Sequence, residues 1–149
     1  MISKTIFVAM FCLAALGVRA AEVVNIDSAQ LARLAASGAV VVDIRTEGEW
    51  QESGVIAGSR LLTFFDEKGR SDPARWLEKL KSVAGPEQPV ILICRSGNRT
   101  RAATQFLAQQ GGYQTVYNAS GGINAWAREG RPVVPAGKAL AGCAAGARC

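Results

Sequence analysis

Two short runs of consecutive apolar residues limit what this chain can fold into more than any other feature. Val40-Val41-Val42 leads into Asp43-Ile44, and Val90-Ile91-Leu92-Ile93 leads into Cys94, in both cases without polar alternation. A strand with one face in water alternates apolar and polar residues. A strand covered on both faces does not, and such strands belong to parallel sheets flanked by helices.

The intervening segments carry the helices that such a sheet requires. Val23–Ile26 reads as a short strand, after which Asp27 caps a helix with Gln30 at its third position and Leu31, Leu34 and Ala35 on one face; Gly38 ends it. Asp72-Pro73 places a cap and a first-position proline before a helix that buries Trp76, Leu77, Leu80, Val83 and Ala84, stopped by Gly85-Pro86. After Cys94 a polar turn precedes a helix from about Thr100 with Ala102, Ala103, Phe106 and Leu107 inward. A strand near Gln114–Tyr117 and a short helix near Gly122–Glu129, with Ile123, Trp126 and Ala127 inward, complete the alternation. The pattern predicts an α/β domain of three layers, a central parallel sheet with helices on both faces.

Both termini read differently from the middle. Residues 1–20 carry Lys4, an apolar stretch from Ile6 to Leu16 and the small-residue site Val18-Arg19-Ala20, the pattern of a secretory signal peptide cut before Ala21. That reading expects a periplasmic or secreted protein. The apolar stretch falls short of the roughly 20 residues that span a bilayer, so no stable membrane anchor is expected after cleavage, and Cys12 leaves with the leader. The domain is expected over residues 21–135. Residues 136–149 hold one large apolar side chain, Leu140, too little to offset the entropy of ordering, and read as a mobile tail. Of the cysteines that remain, Cys143 and Cys149 are expected to pair locally, leaving Cys94 free.

Composition excludes several classes of chemistry. The chain has no histidine, which removes histidine general bases, Cys-His and Ser-His-Asp arrangements and most zinc or haem sites; no metal or cofactor is expected. A net charge of +5, lowered when Lys4 and Arg19 leave, is too mild for nucleic acid. Arg95, Arg99 and Arg101 cluster locally, which suits a small anion better than a polyanion.

Cys94 is the residue placed to carry chemistry. It stands at the carboxyl end of a central strand, where open α/β sheets bind ligands. The loop Arg95-Ser96-Gly97-Asn98-Arg99 offers successive backbone N–H groups for an anion-binding nest, and the next helix adds its positive end. Both favour a thiolate over the free thiol, whose pKa is about 8.5. A merely packed thiol has no need of two arginines and a glycine in the five residues after it.

These residues resemble the single-domain rhodanese-type sulfurtransferases, in particular secreted or periplasmic members with a tail. Val41-Val42-Asp43-Ile44-Arg45, followed by Glu47, Glu49, Trp50, Gly54, Ile56 and Gly58, resembles the upstream motif, with Val55 where the family usually has histidine. Cys94–Thr100 resembles the active-site loop, and Gly121-Gly122-Ile123 with Ala125-Trp126 the carboxyl-terminal signature. The resemblance implies transfer of sulfane sulfur from thiosulfate or a similar donor to a thiol, cyanide or protein acceptor through a Cys94 persulfide. It implies that Arg95 and Arg99 bind the donor oxyanion, that amides from Ser96, Gly97, Asn98 and Arg99 hold the persulfide, and that Asp43 and Arg45 support the floor. Glu47 and Glu49 read as acids at a helix start, Arg101 is divided between donor and solvent, and the stretch Asp66-Glu67-Lys68 after Phe64-Phe65 between a mobile rim and a solvated connection. A carrier or sensor serving a dedicated partner would use the same loop. A cysteine phosphatase is disfavoured because Thr100, not arginine, stands six positions after Cys94.

Overall fold

The computed structural model describes residues 21–140. The leader, Cys12 and the Cys143–Cys149 pair lie outside the described residues. Five strands, β1 (Glu22–Ile26), β2 (Val40–Asp43), β3 (Arg60–Leu61), β4 (Val90–Ile93) and β5 (Thr115–Ala119), form one sheet in the order β1-β5-β4-β2-β3. Every pairing within it is parallel. The helices are α1 (Ser28–Ala36), α2 (Glu47–Ser53), α3 (Pro73–Val83), α4 (Asn98–Phe106) and α5 (Gly122–Arg128). Among the described residues no helix is long and apolar enough to cross a membrane.

The unalternating strands are covered on both faces, as their composition requires. Val40 and Val42 of β2 and Val90 and Leu92 of β4 meet Trp76 and Leu80 of α3 and Ala103 of α4. Val41, Ile91 and Ile93 point the other way, to Leu31 of α1 and Ile123 and Trp126 of α5. The result is the expected three-layer α/β architecture, a parallel sheet between two helical layers. From β2 the chain runs outward to the edge strand β3, whereas from β4 it returns to β5 on the opposite side. The connections therefore diverge between the carboxyl ends of β2 and β4, leaving a crevice there.

Local capping follows the sequence closely. Asp27 accepts from the Gln30 N–H at 2.7 Å while the Gln30 side chain accepts from the Asp27 N–H at 3.0 Å. Asp72 caps α3 ahead of Pro73. Other expectations shift. Helix α4 starts at Asn98 rather than Thr100, because Gly97 turns the chain in one left-handed step with φ +91°. Its inner face carries Thr100, Ala103 and Thr104, continued by Leu107, so Ala102 is exposed; Ala127 of α5 is exposed as well. Phe64 packs edge-to-face on Trp76, ring centroids 4.8 Å apart, and anchors the stretch that follows it. Strand β3 and helix α2 carry too few residues for their periodicity to show in sequence.

Packing also continues past Pro135, where the domain is expected to end. Val134 bridges Val55, Ala136–Lys138 form a 3₁₀ turn, and Ala139, only 4% exposed, packs with Trp50 and Val55. The Gly58 N–H donates to the Ala139 carbonyl. Counting large apolar residues misses this, since a small alanine fills the gap beside Trp50. Ala139→Asp, which forces a carboxylate into that contact, should lower stability by about 1–3 kcal/mol in urea unfolding; an unchanged midpoint would place the contact outside the cooperative fold.

Candidate active site

Helix α4 begins without a side-chain cap, because its N-cap residue is Gly97. Its first-turn N–H groups therefore have no local acceptor. The Cys94 sulfur serves as an acceptor there: Sγ accepts from the Gly97 N–H at 3.1 Å and lies 3.7 Å from the Thr100 hydroxyl, which itself donates to the Gly97 carbonyl at 2.9 Å. Cys94 is 1% exposed. Burial alone pushes its thiol up, but the backbone amides of Thr100 and Ser96, the Thr100 hydroxyl and the Gly97 amide outweigh burial, and the net direction is down. Four polar contacts thus favour the thiolate where no histidine exists to do so.

The turn that aims these donors is held from behind. The amides of Ile123 and Asn124 at the start of α5 donate to the carbonyls of Cys94 at 2.8 Å and Arg95 at 3.1 Å. That contact leaves no room for a side chain: a Cβ on Gly122 would strike the carbonyls of Cys94 and Arg95, and one on Gly97 would strike the carbonyl of Ser120. The carboxyl-terminal signature and the loop are two sides of one backbone junction.

Asp43 and Arg45, expected to support the floor of the site, form a buried ion pair. They are 0% and 1% exposed, and Arg45 binds both Asp43 oxygens, with Nε at 3.0 and 3.1 Å and Nη2 at 2.7 Å. Its remaining donors reach the Gly54 carbonyl at 2.7 Å and Ser53 Oγ at 2.6 Å. One buried guanidinium thereby fastens the end of β2 to the end of α2. Val55, at the position where the resembled family carries histidine, is fully buried beside Trp50 and Ala139.

Glu49 is more than an acid at a helix start. Its carboxylate completes a capping box with Thr46 and also grips Arg99 in a two-pronged pair, Nη1 to Oε2 at 2.7 Å and Nη2 to Oε1 at 2.6 Å. The Arg99 hydrogen bond, against the opposing effect of burial, lowers the Glu49 carboxyl from an ordinary 4.5 to about 2. Its contribution to stability is therefore complete above about pH 4.5 and is lost as pH falls toward 2. Arg99 is raised, first by its bond to Glu49 and, after the opposing effect of burial, by the charges of Glu49 and Cys94. Arg99 is thus fixed close to the nucleophile but already has an anion partner. The sequence does not show this, because Glu49 and Arg99 stand fifty positions apart and each motif is complete without the other.

A cleft of ≈ 450 Å³ opens over the loop, and Arg95, Ser96, Asn98 and Arg99 line it together with Thr46, Glu49, Asp66 and Glu67. Arg95, Ser96 and Asn98 are exposed, while Arg101 is exposed but stands outside the cleft lining. Asp66 is engaged at its own turn by the N–H groups of Lys68 and Arg70 and by the Arg70 side chain. Among the described residues no group of three or more His, Cys, Asp or Glu is arranged to hold a metal ion.

The demand on Gly97 is directly measurable. Gly97→Ala adds a methyl that meets backbone at a positive φ, and it should cost upward of about 2 kcal/mol of stability while slowing alkylation of Cys94. Normal stability with normal Cys94 reactivity would show that the turn has slack.

Comparison with known proteins agrees with this geometry. Residues 27–129 match the family model described as the rhodanese-like domain. Thiosulfate sulfurtransferase 18 of Arabidopsis thaliana is 30% identical over 118 residues, covering 77% of this chain and 86% of its own. A sulfurtransferase of Allochromatium vinosum is 36% identical over 112 residues, covering 74% of this chain and 94% of its own. A crystal structure of an M. tuberculosis protein shares the fold with TM-score 0.65 at 24% identity, over 77% of this chain and 98% of that one. With its loop, its signature and its sheet order all in place, the chain belongs to the rhodanese-like domain family.

Proposed function

We propose that this protein is a sulfurtransferase that moves sulfane sulfur from thiosulfate or a similar small donor to a nucleophilic acceptor through a persulfide on Cys94. The observation that carries the reading is the Cys94 sulfur, buried, met by the Gly97 amide and close to the Thr100 hydroxyl, with no histidine in the chain. Relatives named sulfurtransferases at 30% and 36% identity support it.

Each half-reaction balances on the cysteine alone. The Cys94 thiolate attacks the outer sulfur of thiosulfate, a new S–S bond forms, the old one breaks, and sulfite departs with the electron pair. No proton moves if the thiolate is preformed, so no general base is required. The terminal sulfur of the resulting persulfide carries the negative charge, for which the N–H groups at the start of α4 are the available donors. Cyanide or a thiolate then attacks that sulfur and returns Cys94 as thiolate. Arg95 is the exposed cation of the cleft for the donor's oxyanion end, and Arg99 adds the N–H groups that Glu49 does not occupy. The leader pattern of residues 1–20 supports a periplasmic or secreted setting.

Incubating the reduced protein with thiosulfate should add one sulfur atom to the peptide containing Cys94 and release an equal amount of sulfite, and cyanide should restore the original mass. Cys94→Ser should lose both. Sulfur found only on other cysteines would overturn the reading. A Cys94 adduct that neither cyanide nor thiols discharge would move the function to a carrier for a dedicated partner.

A further inference from the structure

Of the two arginines in the cleft, one is already neutralised. Arg99 is gripped by both oxygens of Glu49, at 2.6 and 2.7 Å, with side chains 27% and 20% exposed. Thr46 holds that carboxylate from the other side, its N–H donating to Oε2 at 3.1 Å. The capping box makes Glu49 a built part of α2 rather than a side chain free to swing away when an anion arrives. Viewed from the cleft, a fork-to-fork ion pair presents a dipole in place of a full positive charge. The one full positive charge left in the lining is Arg95, set among Asp66 and Glu67, while Arg99 offers only the N–H groups that Glu49 leaves free. The Asp66 carboxylate is itself shared with Arg70. Such a lining attracts a dianion weakly, and the Cys94 thiolate beneath it repels one.

We propose, building on the sulfur-transfer reading, that Glu49 is a specificity-determining residue: acting through Arg99, it tunes the site away from dianionic sulfane donors and toward donors of lower charge. It touches no reacting atom. Its effect is electrostatic, and repulsion by a fixed carboxylate is twice as large for a doubly charged donor as for a singly charged one of the same size.

The chemistry supplies a matched pair of probes. Thiosulfate is a dianion at neutral pH and leaves as sulfite; methanethiosulfonate carries the same outer sulfur on a single charge and leaves as methanesulfinate. Both deliver one sulfur to the Cys94 thiolate by the same displacement. Glu49→Gln removes the carboxylate charge but keeps a side chain that completes a capping box, so α2 retains its start. The variant should lower the KM for thiosulfate relative to that for methanethiosulfonate by about threefold to tenfold. Arg99→Gln, which leaves the Glu49 charge without its partner, should move the same ratio the opposite way. A merely structural role for Glu49 would reduce turnover of both donors in proportion and leave the ratio in place, which overturns the inference; so does a ratio that rises in Glu49→Gln. Wild-type protein that takes sulfur from neither donor overturns the sulfur-transfer reading itself, whereas loading by both with an unmoved ratio overturns the role of Glu49 alone.

Discussion

The junction between the Cys94 turn and the first residues of α5 is the contact on which the rest of the site depends. Two amides of α5 satisfy the carbonyls of Cys94 and Arg95, and once those carbonyls point backward, the N–H groups of the turn and of α4 point toward the sulfur. Backbone donors aim only as well as the chain that carries them is held. Two segments must approach at backbone contact for this to work, and that is why glycine stands at 97 and at 122. The sheet brings them together: β4 and β5 are neighbours, so the segments that follow them leave the sheet side by side.

A second set of contacts places the charged groups. The Arg45 guanidinium, buried with Asp43, binds the end of α2 through Gly54 and Ser53. Burying such a pair gives little net stability, but removing one partner typically costs about 3–5 kcal/mol because a bare charge stays behind. Its value is positional. It fixes α2, α2 presents Glu49, and Glu49 fixes Arg99 beside the sulfur. Trp50, Val55 and Ala139 close the outer side of the same helix, so the carboxyl-terminal segment supports the site from a distance.

Much of this was legible in the residues, and the gaps have physical causes. The unalternating runs at 40–44 and 90–93 report burial on both faces directly, and burial on both faces implies parallel strands and two helical layers. Asp27 and Asp72 announce helix starts because capping is local chemistry. Cys94 and the turn after it were readable because the motif residues are adjacent, and the Asp43–Arg45 pair through the resemblance to the family's upstream motif. The pairing of Glu49 with Arg99 was not, because it joins two motifs that meet only in the fold. The inward face of α4 differs from its apolar pattern because Thr100 and Thr104 are buried with their hydroxyls bonded to backbone carbonyls one turn back, so polarity does not mark them as outward. Ala139 escaped notice because packing depends on fit as well as side-chain size.

Without any histidine, the polar contacts around Cys94 and the nearby Arg99 charge favour its thiolate. The rate of iodoacetamide alkylation at the Cys94 peptide, followed by mass spectrometry across pH, measures that ionisation without interference from the other cysteines. The account predicts a midpoint clearly below that of a free cysteine, about 8.5. A midpoint at or above that value would mean that burial outweighs the donors, and the thiolate on which the proposed transfer depends would not be preformed.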